Sequence, residues 1–257
     1  MMAKFNYCWR LAITGLCFFG FSAGGALLSV LVFPPLYLLA RDPGRRHRWA
    51  QWFIHKFFGL MVAVLRHSGT MRLEVAGIEQ LQDARNVLVL ANHPTILDIV
   101  VLLSLMPRAN CIVKSDFWSN PFIGGVVRTA GYISNSEPEQ LIDDCVHALH
   151  AGCPLVVFPE GTRSRPDRPL KFLRGAAHIA LKSALPIVPV LLHCDPPTLM
   201  KGSRWYEIPP RPFHLRVVVR PPLQAAALTD ARRKPEVTAR RLTSALEYYF
   251  RRELSAL

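Results

Sequence analysis

A chain of 257 residues suits one substantial domain, or one domain with an appendage. Hydrophobic residues make up 51%, enough for a real core, which excludes a disordered chain. The formal net charge of +13 calls for an anionic partner, and the long apolar segments favour a membrane surface over nucleic acid.

From Leu11 to Ala40 no residue is charged. A bilayer-spanning helix needs roughly 20 apolar residues, so the run is long enough. It is long for a signal-peptide core, and no small-x-small cleavage site precedes Arg41, so a retained anchor is expected. Lys4 and Arg10 precede the run, and the richer cluster of Arg41, Arg45, Arg46 and Arg48 follows it. Basic residues on both flanks blur the positive-inside signal, but the richer C-terminal cluster favours a globular domain on the cytoplasmic side, and the expected location is a bacterial inner membrane. Pro34-Pro35 should kink or end the helix, which also allows a segment dipping into one leaflet. Gly20 to Gly24 matches GxSxG, but inside an apolar helix these glycines read as close-packing positions rather than a nucleophile turn. Residues 49–65 place Trp49, Trp52, Phe53, Phe57, Leu60, Met61, Val64 and Leu65 at helical spacing, fitting an interfacial helix and a core helix equally. An organisation of 1–68 as anchor and interfacial helix, then 69–257 as the globular domain, follows.

Beyond Gly69, short apolar runs at 87–90, 111–113, 155–158 and 187–192 read as strands. Leu73 and Val75 alternate with Arg72 and Glu74 as in a half-buried strand, and 214–219 adds another. Residues 95–106, 137–151, 174–184 and 235–253 look helical, and the proline-rich 195–212 reads as an extended loop. This alternation predicts an α/β sandwich around a mixed, largely buried sheet. The six scattered cysteines form no CxxC pair and read as reduced thiols. Cys145, His147, His150 and Cys153 do not converge on a helix, so no metal site is expected.

Residues 92–98 read Asn-His-Pro-Thr-Ile-Leu-Asp. They put His93 at a strand-to-helix turn, with Asp98 in the first turns of the helix. A carboxylate there can hold the imidazole in one tautomer and stabilise the imidazolium formed when it accepts a proton. No serine or cysteine is needed beside it, because a substrate hydroxyl can be the nucleophile. Residues 158–164 read Phe-Pro-Glu-Gly-Thr-Arg-Ser. Gly161 permits close backbone approach, the Thr162 hydroxyl suits phosphate, and Arg163 can bind phosphate oxygens in a bidentate manner. Glu160 facing a phosphate would repel it, so it more simply fixes the turn or an arginine.

The two motifs, in this order, resemble those of the glycerolipid acyltransferase family: 92–98 its NHxxxxD motif and 158–164 its FPEGTRS motif. Lys114, Pro121, Gly124, Arg128 and Gly131 resemble the block between them, 172–175 the basic-glycine element and 185–190 the late strand. The resemblance spans roughly 70–220. It implies an acyltransferase-type α/β sandwich and transfer of a fatty acyl group from acyl-CoA or acyl carrier protein to a lysophospholipid hydroxyl. The expected acceptor is 1-acylglycerol-3-phosphate, with no metal or organic cofactor. His93 would be the general base and Asp98 its orienting partner. Glu160, Gly161, Thr162 and Arg163 would shape the acceptor site, assisted by Arg174 and Lys114.

One departure stands out. The family's middle block ends with an arginine about six residues after its glycine, whereas Gly131 is followed by Tyr-Ile-Ser-Asn-Ser-Glu. That opens an alternative: an acyl-carrier-protein-dependent acyltransferase for another lipid acceptor, as in ornithine lipid or aryl polyene pathways. A membrane-bound scaffold with a degenerate site is a third reading, disfavoured by the intact motifs. No RNA-recognition or helix-turn-helix pattern is present. The basic residues Arg232, Arg233, Lys234, Arg240, Arg241, Arg251 and Arg252 read as a face towards solvent or anionic lipid.

Overall fold

Strands that read as unbroken apolar runs must be covered on both faces. The computed structural model, which describes residues 2–82, 84–165, 167–229 and 234–257, shows both covers. Arg232 and Arg233 lie outside the described residues. In chain order the elements are α1 (Met2–Leu27), a π-helical turn (Leu28–Val32), α2 (Phe33–Leu39), α3 (Pro43–His67), β1 (Met71–Ala76), α4 (Glu79–Gln82) and β2 (Leu88–Ala91). Then come α5 (Asp98–Leu105), β3 (Asn110–Val113), α6 (Ser115–Ser119), α7 (Gly124–Thr129), β4 (Ile133–Ser134), α8 (Pro138–His150) and β5 (Leu155–Val157). The chain closes with α9 (Gly175–Ser183), β6 (Ile187–Asp195), β7 (Phe213–Val219), α10 (Ala225–Leu228) and α11 (Pro235–Leu254).

The seven-stranded sheet has the order β1-β7-β6-β2-β5-β3-β4. Only β6 and β7 pair antiparallel, so the sheet is mixed, as expected. Successive side chains alternate between two cores, the period-two rule of a strand. Val89, Val156, Val188 and Val190 join one core with Ile54 and Met61 of α3 and Val101 of α5. Leu88, Leu90, Leu155 and Ile187 join the other with Cys145 of α8, Ile179 of α9 and Phe250 of α11. The two-residue β4 was not foreseen, since a strand so short leaves no periodicity to read.

The N-terminal helix lies along the domain. Phe57 packs where a Cβ on Gly24 would come within 2.3 Å of its ring, so the GxxxG glycines of α1 include a true packing position. Phe21 stacks on Phe58 at 6.1 Å. Ile13, Cys17 and Leu28 share a core cluster with the sheet. Both ends of the helical segment are tied down. Trp9 donates to the Ser68 carbonyl at 3.0 Å, and buried Arg10 donates to the Pro209 and Pro210 carbonyls at 2.8 and 2.7 Å. Towards its other end, the hydroxyls of Tyr37 and Thr129 meet at 3.4 Å. The helix does not end at Pro34-Pro35. The π-helical turn precedes them, and they fall in the first turn of α2, where absent N–H groups cost least. The outward face keeps Leu16, Phe19, Leu27, Val30, Leu31, Leu38 and Leu39 exposed. The stretch Lys4–Leu39 is long and apolar enough to cross a membrane, with mean hydropathy 2.1. In α3 one face (Ala50, Ile54, Val62, Leu65) is buried while Trp49, Trp52 and Leu60 stay exposed. One face of α3 thus packs into the core while the other leaves large apolar side chains exposed.

Gly77 follows β1 at φ +74°, and a Cβ there would approach the Val219 carbonyl oxygen to 2.3 Å. Neither partner is a flexible side chain. Gly77→Ala should therefore cost about 1–3 kcal/mol, read as a thermal midpoint several degrees lower. Gly59→Ala, in α3 with open space around it, should show no such fall.

Candidate active site

Where β2 stops, Asn92 continues the sheet with its side chain. Its Nδ2 donates to the Leu192 carbonyl and its Oδ1 accepts from the Leu192 amide, both at 2.8 Å. The side-chain amide thus substitutes for a peptide against β6, and the main chain is free to turn away. The next residue, His93, is held from the opposite side by the second motif. Its N–H donates to Glu160 Oε1 at 2.9 Å, and its carbonyl accepts from the Ser164 amide at 2.7 Å. The Ser164 hydroxyl donates to the same Glu160 oxygen at 2.8 Å. The ring stacks on Phe158 with centroids 4.0 Å apart.

His93 Nδ1 meets Asp98 Oδ2 at 2.8 Å, as the five-residue spacing predicts. Asp98 is fully buried. It is the first residue of α5, where the helix dipole favours negative charge. Pro94 does not start that helix; residues 95–97 form a turn, and Thr95 closes it. The Thr95 amide donates to Oδ2 at 2.7 Å and its hydroxyl to Oδ1 at 2.6 Å. Burial pushes the Asp98 carboxyl above the ordinary carboxylate range, and the hydrogen bonds from His93 and Thr95 pull the other way. With Nδ1 engaged, Nε2 is the nitrogen left for a substrate proton.

Gly161 takes φ +67°, and a Cβ there would strike Leu173 at 2.5 Å, which accounts for the glycine. Its amide closes a turn onto the Phe158 carbonyl at 3.0 Å. Arg163 Nη1 donates to the carbonyls of Leu199 and Met200 at 3.0 and 2.9 Å, anchoring the loop after β6.

A cavity of about 700 Å³ runs between His93 and the N-terminal helices. Its apolar walls include Phe18, Phe21 and Leu28 from α1 and its π-helical turn, and Phe57, Phe58 and Met61 from α3. Its polar lining brings together His93, Lys114, Gly161, Thr162, Arg163 and Lys201. Glu160 instead lines a smaller cavity of about 280 Å³ behind the motif, with Ser164, Arg165, Arg168 and His193. Burial raises its carboxyl pKa, opposed by the hydrogen bonds from the His93 amide and Ser164. Arg174 is exposed at the start of α9 and lines neither cavity. Arg128 is exposed and donates to the Trp118 carbonyl. Among the described residues no three His, Cys, Asp or Glu side chains gather at metal-binding distance. Cys145 is buried whereas His147 and His150 face out.

Sequence reading missed the positioning roles of Asn92, Thr95 and Ser164 and the place of Lys201. The first three lie inside the motifs, where only hydrogen-bond geometry separates them from their neighbours. Lys201 lies in a loop without periodicity.

Residues 72–193 match the Acyltransferase family. The chain is 30% identical over 179 residues to the chloroplastic 1-acyl-sn-glycerol-3-phosphate acyltransferase LPAT1 of Arabidopsis thaliana, covering 67% of this chain and 48% of that protein. It is 28% identical over 187 residues to 1-acyl-sn-glycerol-3-phosphate acyltransferase alpha of Mus musculus, covering 68% and 62%. With coverages of 48% and 53%, the chain spans about half the length of two of the plant relatives it matches. Its fold is that of the crystal structure of the 1-acyl-sn-glycerophosphate (LPA) acyltransferase PlsC from Thermotoga maritima. The TM-score is 0.71 at 20% identity, covering 100% of this chain and 99% of that one. The domain at residues 72–193, with His93, Asp98 and the 158–164 turn at its centre, belongs to the acyltransferase family.

Proposed function

We propose that this chain is a membrane-associated O-acyltransferase that moves a fatty acyl group from a thioester donor to the free hydroxyl of 1-acylglycerol-3-phosphate. The observation that carries this reading is the His93–Asp98 pair, 2.8 Å apart, on the polar side of a cavity whose other walls are apolar. A volume of about 700 Å³ lies within the roughly 300–1,000 Å³ of small-molecule sites.

In this mechanism the Asp98 carboxylate accepts a hydrogen bond from Nδ1–H and fixes the tautomer, leaving Nε2 as the base. Nε2 takes the proton of the acceptor hydroxyl as its oxygen attacks the thioester carbonyl. When the tetrahedral adduct collapses, the C–S bond breaks and the imidazolium returns its proton to the thiolate. An ester and a free thiol result. Acyl-CoA and acyl carrier protein both present such a thioester, and both remain candidate donors. Lys114, Thr162 and Arg163 face the acceptor's phosphate, with Arg174 further out. Glu160 positions His93 rather than binding substrate: its Oε1 accepts from the His93 amide and Ser164, and the side chain lines the smaller cavity behind the motif.

A second acceptor reading, a lipid from a specialised pathway, is favoured by the absence of a cation at 132–137. We infer further that residues 1–68 seat the domain in one leaflet of an inner membrane, with 69–257 on the cytoplasmic side. The 26-residue α1, about 39 Å long, is tied to the domain near its start, and the helical stretch is tied again beyond its end. A transmembrane path would draw the polar loop beside Arg10 into hydrocarbon.

Three outcomes are expected. With purified protein in detergent, a panel of lysolipids and both donors, lysophosphatidate should be the preferred acceptor. His93→Ala and Asp98→Asn should each lower kcat by about 10²–10⁴-fold with the thermal midpoint retained. Retained function after replacing both residues would favour the scaffold reading. Glu160→Gln, whose amide oxygen can still accept both hydrogen bonds, should keep most activity, whereas Glu160→Ala should lose at least about 100-fold in kcat. Equal loss of acceptor affinity in both variants, with kcat unchanged, would instead make Glu160 a substrate ligand.

A further inference from the structure

One cation on the wall of the cavity that holds His93 belongs to no motif. Three basic side chains line the cavity that holds His93: Lys114, Arg163 and Lys201. Arg163 spends its Nη1 on the carbonyls of Leu199 and Met200, the two residues just before Lys201. The Ile96 amide, three residues after His93, donates to the same Leu199 carbonyl at 3.2 Å. Leu199 is held at φ +51°, a left-handed conformation that a leucine adopts only when its surroundings impose it. It is also buried, and so is Thr198. The loop is therefore built rather than loose: two elements of the catalytic centre grip its backbone, and the next side chain outward is an exposed lysine.

We propose that Lys201 is a headgroup-binding residue whose ammonium contacts the acceptor's phosphate, and that Arg163 also serves as the clamp setting the loop that presents it. This deepens the lysophospholipid reading and rests on it. A lysine suits the position as a compact charge on a flexible stem, able to meet a dianionic phosphate without the planar alignment an arginine demands.

The test is steady-state kinetics of the full chain in detergent, with lysophosphatidate and with the monoacylglycerol of the same acyl chain. Inorganic phosphate serves as a competing anion. Lys201→Ala and Lys201→Gln should raise KM for lysophosphatidate about 10-fold or more with kcat within about two-fold. Competitive inhibition by inorganic phosphate should weaken in parallel, and the preference for lysophosphatidate over monoacylglycerol should fall. Lys201→Arg should restore most of the affinity. Lys182→Ala, on an exposed helix and paired with Asp143, is the control for general loss of positive charge. If the wild type acylates lysophosphatidate and Lys201→Ala leaves KM unchanged, the proposal fails while the acceptor reading stands. If the wild type prefers acceptors without phosphate, both fail together. If KM and kcat both collapse with a lowered thermal midpoint, and Lys201→Arg does not rescue, Lys201 is structural and the proposal is again overturned.

Discussion

The structure turns on how the backbone of one residue is satisfied. A histidine at the end of a buried parallel strand must leave the sheet to reach a cavity, yet its N–H and C=O cannot remain unpaired in a partly buried site. Here the second motif supplies both partners: Glu160 accepts from the His93 amide and the Ser164 amide donates to its carbonyl. The two motifs are thus one hydrogen-bonded object, although 67 residues separate His93 from Glu160. Asn92 completes the arrangement by holding the place of a ladder peptide against Leu192. Misplacing any of these groups moves the imidazole.

That arrangement divides the charges by task. The carboxylates, Asp98 and Glu160, turn away from the substrate cavity and into the protein, each surrounded by donors. The cations Lys114, Arg163 and Lys201 line the cavity itself. Positive charge therefore faces the cavity while both acids are held on the protein side of His93. Desolvation raises both carboxyl groups, and the hydrogen bonds to each oppose it.

Much of this was legible in the sequence, for identifiable reasons. Runs such as 87–90 and 187–192 are apolar at every position, which only a sheet covered on both faces explains, and the mixed α/β sandwich followed. The His93–Asp98 contact was legible because a five-residue offset across a turn admits few geometries. The start of α5 was not, because Thr95 and Asp98 hold residues 95–97 in a turn that helical propensity does not reveal. Pro34-Pro35 suggested an end or a kink, but the π-helical turn before them lets the helix continue to Leu39. Glu160 was half legible: charge repulsion argued that it fixes the turn, but its partner, the amide of His93, comes from a distant segment. Lys201 was illegible, since loop conformation depends on tertiary contacts.

The packing of α1 against α3, with Gly24 beneath the Phe57 ring, makes the apolar N-terminal helix part of the wall of the cavity that holds His93. Solubility and competence are therefore opposed in this molecule. Cutting away the apolar segment to obtain a more tractable protein would not merely remove an address label. It would remove the side of the cavity formed by Phe18, Phe21 and Leu28, leaving the remaining apolar wall open to water.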